Sequence, residues 1–158
     1  MEDIVNQYNY KSALQKMMKI CSTQEKCKHD IYTKLLNWKV AEDIIEKIIE
    51  KLVSENFIDE SRYSKAFVND KFKFNKWGKT KIRFELRNKH ISEADIENGL
   101  EIISEDEYFK TATELLKAKL KSIKNNTTYE IKSKLIRYGY SRGFEQDLLY
   151  KIADSILK

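Results

Sequence analysis

The apolar triplet Ile31, Leu35, Val40 recurs as Ile82, Leu86, Ile91 and again as Ile131, Leu135, Tyr140, with internal spacings of four and five each time. The copies are offset by 51 and then 49 residues. A step of four places two side chains on one helix face, and a step of five crosses a tight turn into the next helix. A period of this length marks tandem helical units rather than one continuous core. Nothing in the composition opposes helix, since the 158 residues include no proline and only four glycines. The expected fold is all-α: three tandem three-helix repeats forming an elongated, curved array.

The parts around the triplet repeat with it. The turns read Asn37-Trp38-Lys39-Val40, Asn88-Lys89-His90-Ile91 and Arg137-Tyr138-Gly139-Tyr140. Gly139 is placed where a helix end favours a left-handed residue, with Lys39 and His90 at the same place under some strain. Ser92 and Ser141 are expected to cap the following helices, Ala41 replacing them in the first copy. Thr127 and Glu130 have capping-box spacing at the front of a middle helix, where Gly78 and Cys27 are weaker caps. Third helices show wide apolar faces: Ile44, Ile45, Ile48, Ile49 and Leu52, then Ile96, Leu100 and Ile103, then Phe144, Leu148, Leu149 and Ile152. Leading helices contain Tyr10, Leu14 and Met17, then Tyr63, Ala66 and Phe67, then Tyr108, Ala112 and Leu115. The expected units span residues 1–57, 58–104 and 105–158.

With 41% apolar and 35% charged residues, the chain is too apolar for disorder and too charged to span a membrane. The start, Met1, Glu2, Asp3 and Ile4, is acidic where a signal peptide is basic. Cys21 and Cys27 allow one bridge at most, so reduced thiols in the cytoplasm are the expectation. Cys21, Cys27 and His29 fall short of the four ligands of a structural zinc, and the other histidine, His90, belongs to another repeat. The acidic runs Asp59-Glu60 and Glu105-Asp106-Glu107 lie where leading helices begin, which capping and the helix dipole explain. The glycines make no phosphate loop. A binding protein without catalytic residues, cofactor or metal is expected.

Charge is unevenly placed. Lys71, Lys73, Lys76, Lys79, Lys81, Arg83, Arg87 and Lys89 face one acid, Glu85, so this segment carries +7 within a chain of net charge +5. A weaker run from Lys110 to Lys124 has five lysines against Glu114. Phe72, Phe74, Trp77 and Phe84 interleave the first segment; such rings either fill the core or, exposed, stack on bases. The cations suit an anionic partner, whether nucleic acid or an acidic or DNA-coated protein.

The stretch Phe57 to Val68, with Asp59, Glu60, Arg62, Tyr63, Ala66 and Phe67, followed by Trp77-Gly78, Ile82, Glu85-Leu86 and Ile91-Ser92, resembles the central repeat of the RecX family of RecA regulators. Lys39 and His90 stand where that family usually has a turn glycine, Cys27 where it has a serine cap, and Glu60 where a second Asp is common. The resemblance implies a monomer that binds the RecA filament along its groove, limits strand exchange and the SOS response, and touches single- or double-stranded DNA. The competing reading is a stand-alone DNA-binding protein of helix-turn-helix type, because three helices with a short turn before the last are also that plan. The third helix of the first unit argues against it, with Glu42, Asp43, Glu46 and Glu50 against Lys47 and Lys51.

Overall fold

The structure, a computed structural model, describes residues 9–124 and 126–158. The acidic start Met1, Glu2, Asp3 and Ile4 lies outside them. The described residues form helices in three groups of three. The first group is α1 (Tyr10–Thr23), α2 (Lys28–Asn37) and α3 (Glu42–Ser54). The second is α4 (Glu60–Lys73), α5 (Lys79–Asn88) and α6 (Glu93–Leu100). The third is α7 (Glu105–Ser122), α8 (Thr128–Ser141) and α9 (Gln146–Ile156). Helix packing is concentrated within each group, the leading helix lying against the third. No helix among the described residues is long and apolar enough to cross a membrane.

Short polar side chains start most of these helices by satisfying amides that have no partner in the first turn. Asp59 accepts from the Ser61 and Arg62 amides, Ser92 from Asp95, Ser104 from Glu107 and Thr127 from Glu130. The capping box at Thr127 is only half formed, because the Glu130 carboxylate accepts from Asn126 Nδ2 at 2.7 Å. Cys27, Ala41 and Gly78 stand at helix starts with no side-chain cap hydrogen bond, alanine and glycine having no acceptor to offer.

The tight turn recurs three times. Val40, Ile91 and Phe144 donate their amides to Leu35, Leu86 and Gly139, five residues back, at 3.1 Å in each case. The residue before each donor is left-handed: Lys39 at φ 61°, His90 at φ 60° and Gly143 at φ 95°. This hydrogen bond fixes the register and corrects the third copy. Its core residues are Leu135, Gly139 and Phe144, one helical turn beyond Ile131, Leu135 and Tyr140. Tyr140 is 57% exposed and Ile131 half-buried. Ser141 ends α8 instead of capping α9, whose start is Glu145, and Gly139 lies inside the helix. The cause is length, because α8 has 14 residues where α2 and α5 have 10 each.

The predicted third-helix faces are buried or half-buried throughout. The leading helices differ in detail. Ala13 and Met17 are buried in α1 while Tyr10 is exposed, and in α4 the buried stripe is Tyr63, Ser64, Val68 and Phe72, leaving Ala66 exposed. Two cores result. One holds Met17, Ile31, Leu35, Ile45, Ile48 and Leu52 of the first group and is closed by Ile58, assigned from sequence to the second unit. The other runs through the second and third groups, from Val68, Phe72 and Leu86 to Phe144 and Leu149.

Candidate partner-binding surface

The cationic segment 71–89 begins in the last turn of α4, crosses the loop to Gly78 and runs along α5 into its turn. Lys76, at φ 57°, ends the α4 region in a left-handed turn whose amide bonds Phe72 O, and Lys76 Nζ folds back onto Lys73 O at 2.8 Å. Trp77 then turns inward and becomes half-buried. Its ring lies under two ammonium groups, Lys71 Nζ at 5.0 Å and Lys81 Nζ at 4.6 Å, and meets Phe67 edge-on at 6.4 Å. Lys79 donates its amide to Tyr108 Oη at 2.9 Å and lays its Nζ 4.7 Å over that ring.

The other three cations are engaged. Arg83 makes a forked pair with Glu97 at 2.9 and 3.2 Å, and Arg87 another with Glu93 at 2.7 and 3.1 Å, both joining α5 to α6. The hydrogen bonds hold both guanidinium groups above, and both carboxyls below, their usual ranges. Lys89 reaches Asp30 at 2.6 Å in the first group. Burial pushes the Asp30 carboxyl up, but the Lys89 bond and charge, helped by the Cys27 thiol, outweigh it and hold the group below its ordinary value. Lys71, Lys73, Lys76, Lys79 and Lys81 form no ion pair among the described residues; Lys73 and Lys76 are exposed and the other three half-buried. Of the interleaved aromatics, Phe72 is core, Trp77 half-buried, and Phe74 and Phe84 are 78% and 60% exposed.

The residues of the resemblance lie at the joints between groups. Asp59 caps α4; Arg62 bonds Glu25 at 2.5 Å and the carbonyls of Asn56 and Phe57, tying α4 to the end of α1. Tyr63 is buried beside Cys27 and Asp30, and that burial drives its hydroxyl far above the ordinary range. Ala66 and Phe67 line an open groove between the first two groups with His29, Asp30, Lys71 and Lys89. Leu86 is fully buried.

The two joints are variants of one contact, in which the front of a middle helix meets the turn of the next group. At the first, Lys28 N bonds Glu60 Oε2 at 3.0 Å, the His29 and His90 rings meet at 5.0 Å, and Lys89 holds Asp30. At the second, backbones touch: Gly78 N bonds Arg142 O at 2.7 Å and Thr80 N bonds Gly143 O at 3.0 Å. A Cβ on Gly78 would collide with the Gly143 carbonyl. Tyr63 and Tyr108 occupy matching places, Tyr108 Oη also donating to Glu145. The joints were not readable in advance, although the spacing of Gly78 and the turn residues from their own repeats offered a signal. Among the described residues no group of three or more His, Cys, Asp or Glu side chains could hold a metal.

Comparison with known proteins follows this architecture. Residues 59–100 match the second three-helix domain of RecX and residues 105–152 the third. The regulatory protein RecX of Clostridium acetobutylicum is 30% identical over 148 residues, covering 91% of this chain and 68% of that protein. The chain belongs to the RecX family. The Clostridioides difficile regulatory protein RecX is 26% identical over 157 residues, 99% of this chain and 74% of its own. A crystal structure of a regulatory protein RecX superimposes with a TM-score of 0.84 at 25% identity, over 92% of this chain and 73% of that one. Within this RecX-family chain, the segment that matches the second domain opens at Asp59, the cap of α4.

Proposed function

We propose that this RecX-family chain is a regulatory protein that binds the RecA–DNA filament and restrains its ATPase, strand-exchange and SOS co-protease activities. It acts as a cytoplasmic monomer without chemistry of its own. The observation that carries the reading is membership of a family whose relatives bear the name regulatory protein RecX. The cationic face of the second group supports it: Lys71, Lys73, Lys76, Lys79 and Lys81, with exposed Phe74 and Phe84, offer cations and apolar rings to a nucleoprotein surface. A helical array suits a helical groove, because successive units can follow its turn.

Reading the third helices as DNA-recognition helices fits less well. The α3 helix exposes Glu42, Asp43, Glu46 and Glu50, and α6 uses Glu93 and Glu97 to hold arginines of α5, so each presents carboxylates where phosphates would approach. The test is the DNA-dependent ATPase and strand exchange of the cognate RecA, with the chain added up to stoichiometric amounts. Inhibition of both is expected, and weaker inhibition by the variant Lys73→Glu/Lys76→Glu/Lys81→Glu. Unchanged RecA activity would refute the proposal.

A further inference from the structure

From Lys117 to Arg142 the chain carries eight cations and a single acid, Glu130. This equals the surplus of segment 71–89, but its side chains are disposed differently. Glu130 is occupied by Asn126 and by the front of its own helix. Lys132 alone of these cations reaches a carboxylate among the described residues, Asp154 at 2.6 Å. Arg142 is used in the joint, donating to Asn75 O. Lys119, Lys124, Lys134 and Arg137 converge instead on a recess of about 650 Å³ between the end of α7 and α8. Ser122, Ser141 and the half-buried Tyr138 complete its wall, and no carboxylate lines it. Lys119 Nζ lies 5.0 Å over the Tyr138 ring and Lys134 contacts Asn126 Oδ1 at 3.4 Å; Lys134 feels the Glu130 carboxylate one turn back but forms no ion pair with it, so both cations are held by neutral partners.

Across α8 a second recess shares Arg137 and is lined by Tyr129, Tyr140 and Tyr150, which are 80%, 57% and 49% exposed. Each offers a largely exposed flat ring, and Lys132 Nζ lies 5.4 Å over that of Tyr150. Cations that follow a phosphate chain, beside rings on which bases can stack, are the requirements of a single-stranded nucleic acid; a duplex hides its base faces. We infer that the α7–α8 recess, with the tyrosines across α8, binds the phosphodiester backbone and bases of single-stranded nucleic acid. Lys124, Lys134 and Arg137 contact phosphates, Lys119 positions Tyr138, and Tyr140 and Tyr150 receive bases. This site is separate from the filament contact proposed above and stands on different residues.

The test is fluorescence anisotropy of a short labelled oligothymidylate, titrated with the full chain at several salt concentrations. Lys124→Glu/Lys134→Glu/Arg137→Glu, all at exposed positions, is expected to bind at least tenfold more weakly. Replacing three phosphate contacts should also flatten the slope of log K against log salt by about 2. Tyr140→Leu/Tyr150→Leu is expected to bind at least fivefold more weakly with its salt slope unchanged, which separates stacking from charge. Parental affinity in the charge-reversed variant overturns the site, and so does an unlabelled duplex that competes as well as the single strand. RecA ATPase inhibition is measured on the same variants: its retention alongside lost oligonucleotide binding supports the site and leaves the filament reading intact. Retained oligonucleotide binding refutes the site whatever RecA does.

Discussion

Gly78→Ala tests whether the second and third groups are joined through their backbones. The φ of −77° and ψ of 168° at Gly78 suit alanine, so the substitution strains no torsion, and stiffening of the unfolded chain would by itself stabilise by about 0.4–1 kcal/mol. Against this, the new Cβ meets the Gly143 carbonyl and the Phe144 amide, both backbone, and no side chain can move aside. Separation of the two segments loses the bonds from Gly78 N to Arg142 O and from Thr80 N to Gly143 O. At about 0.5–1.5 kcal/mol each, these are worth about 1–3 kcal/mol. The net expectation is a loss of about 1–2 kcal/mol, which for a chain of this size lowers the melting temperature by about 2–8 °C. Urea and thermal denaturation followed by circular dichroism measure it. A variant as stable as the parent, or more so, would show that the joint does not rest on this contact.

Three further outcomes are expected. Leu86→Ala should destabilise by about 2–5 kcal/mol in urea titrations, whereas Phe84→Ala, two residues away and 60% exposed, should change stability by less than about 0.5 kcal/mol; equal effects would mean that the α5 register is wrong. The Asp30 carboxyl is held below its ordinary value of 3.8 in the folded chain, so its pairing with Lys89 contributes fully above that pH and is lost as pH falls through and below it. Asp30→Asn should therefore lower stability at neutral pH and show a shallower acid loss than the parent, and parallel curves would exclude the linkage. Burial pushes the Cys27 thiol up to about 11, so a thiol reagent at neutral pH should modify Cys27 only on unfolding, with half-buried Cys21 reacting first; two thiols reacting together in the folded chain would contradict its burial.

The unit, its three helices and two of its three turns were legible in the sequence, because Leu35 and Leu86 precede left-handed Lys39 and His90 by the same four residues. The third copy was misaligned because α8 is one turn longer, and Ile131, Leu135 and Tyr140 reproduce the spacing inside and at the end of that helix. A one-turn slip keeps side chains near the same face, so periodicity alone cannot detect it. The surface was legible only as a count of charges. Arg87 and Glu93 are six residues apart across a turn, but the Lys89 partner Asp30 lies 59 residues earlier, beyond any local pattern. The run ending at Lys124 was visible, yet its continuation through Lys134 and Arg137 required the antiparallel return of α8 against α7. Exposure of Phe74, against burial of Phe72, likewise depends on where α4 ends, and that of Phe84 on which face α5 turns outward.

The division of the apolar side chains between two cores makes the chain a pair of thermodynamic units instead of three. Helices α1 to α3 enclose their own core and meet the remainder through polar contacts at His29, Asp30 and Arg62 and through the buried Cys27, which packs into the second core. The second and third groups share one apolar interior and cannot part without exposing Phe72 and Phe144 to water. Relative motion of the groups is therefore expected at one place, between α3 and α4, with a short arm set against a longer, stiffer one.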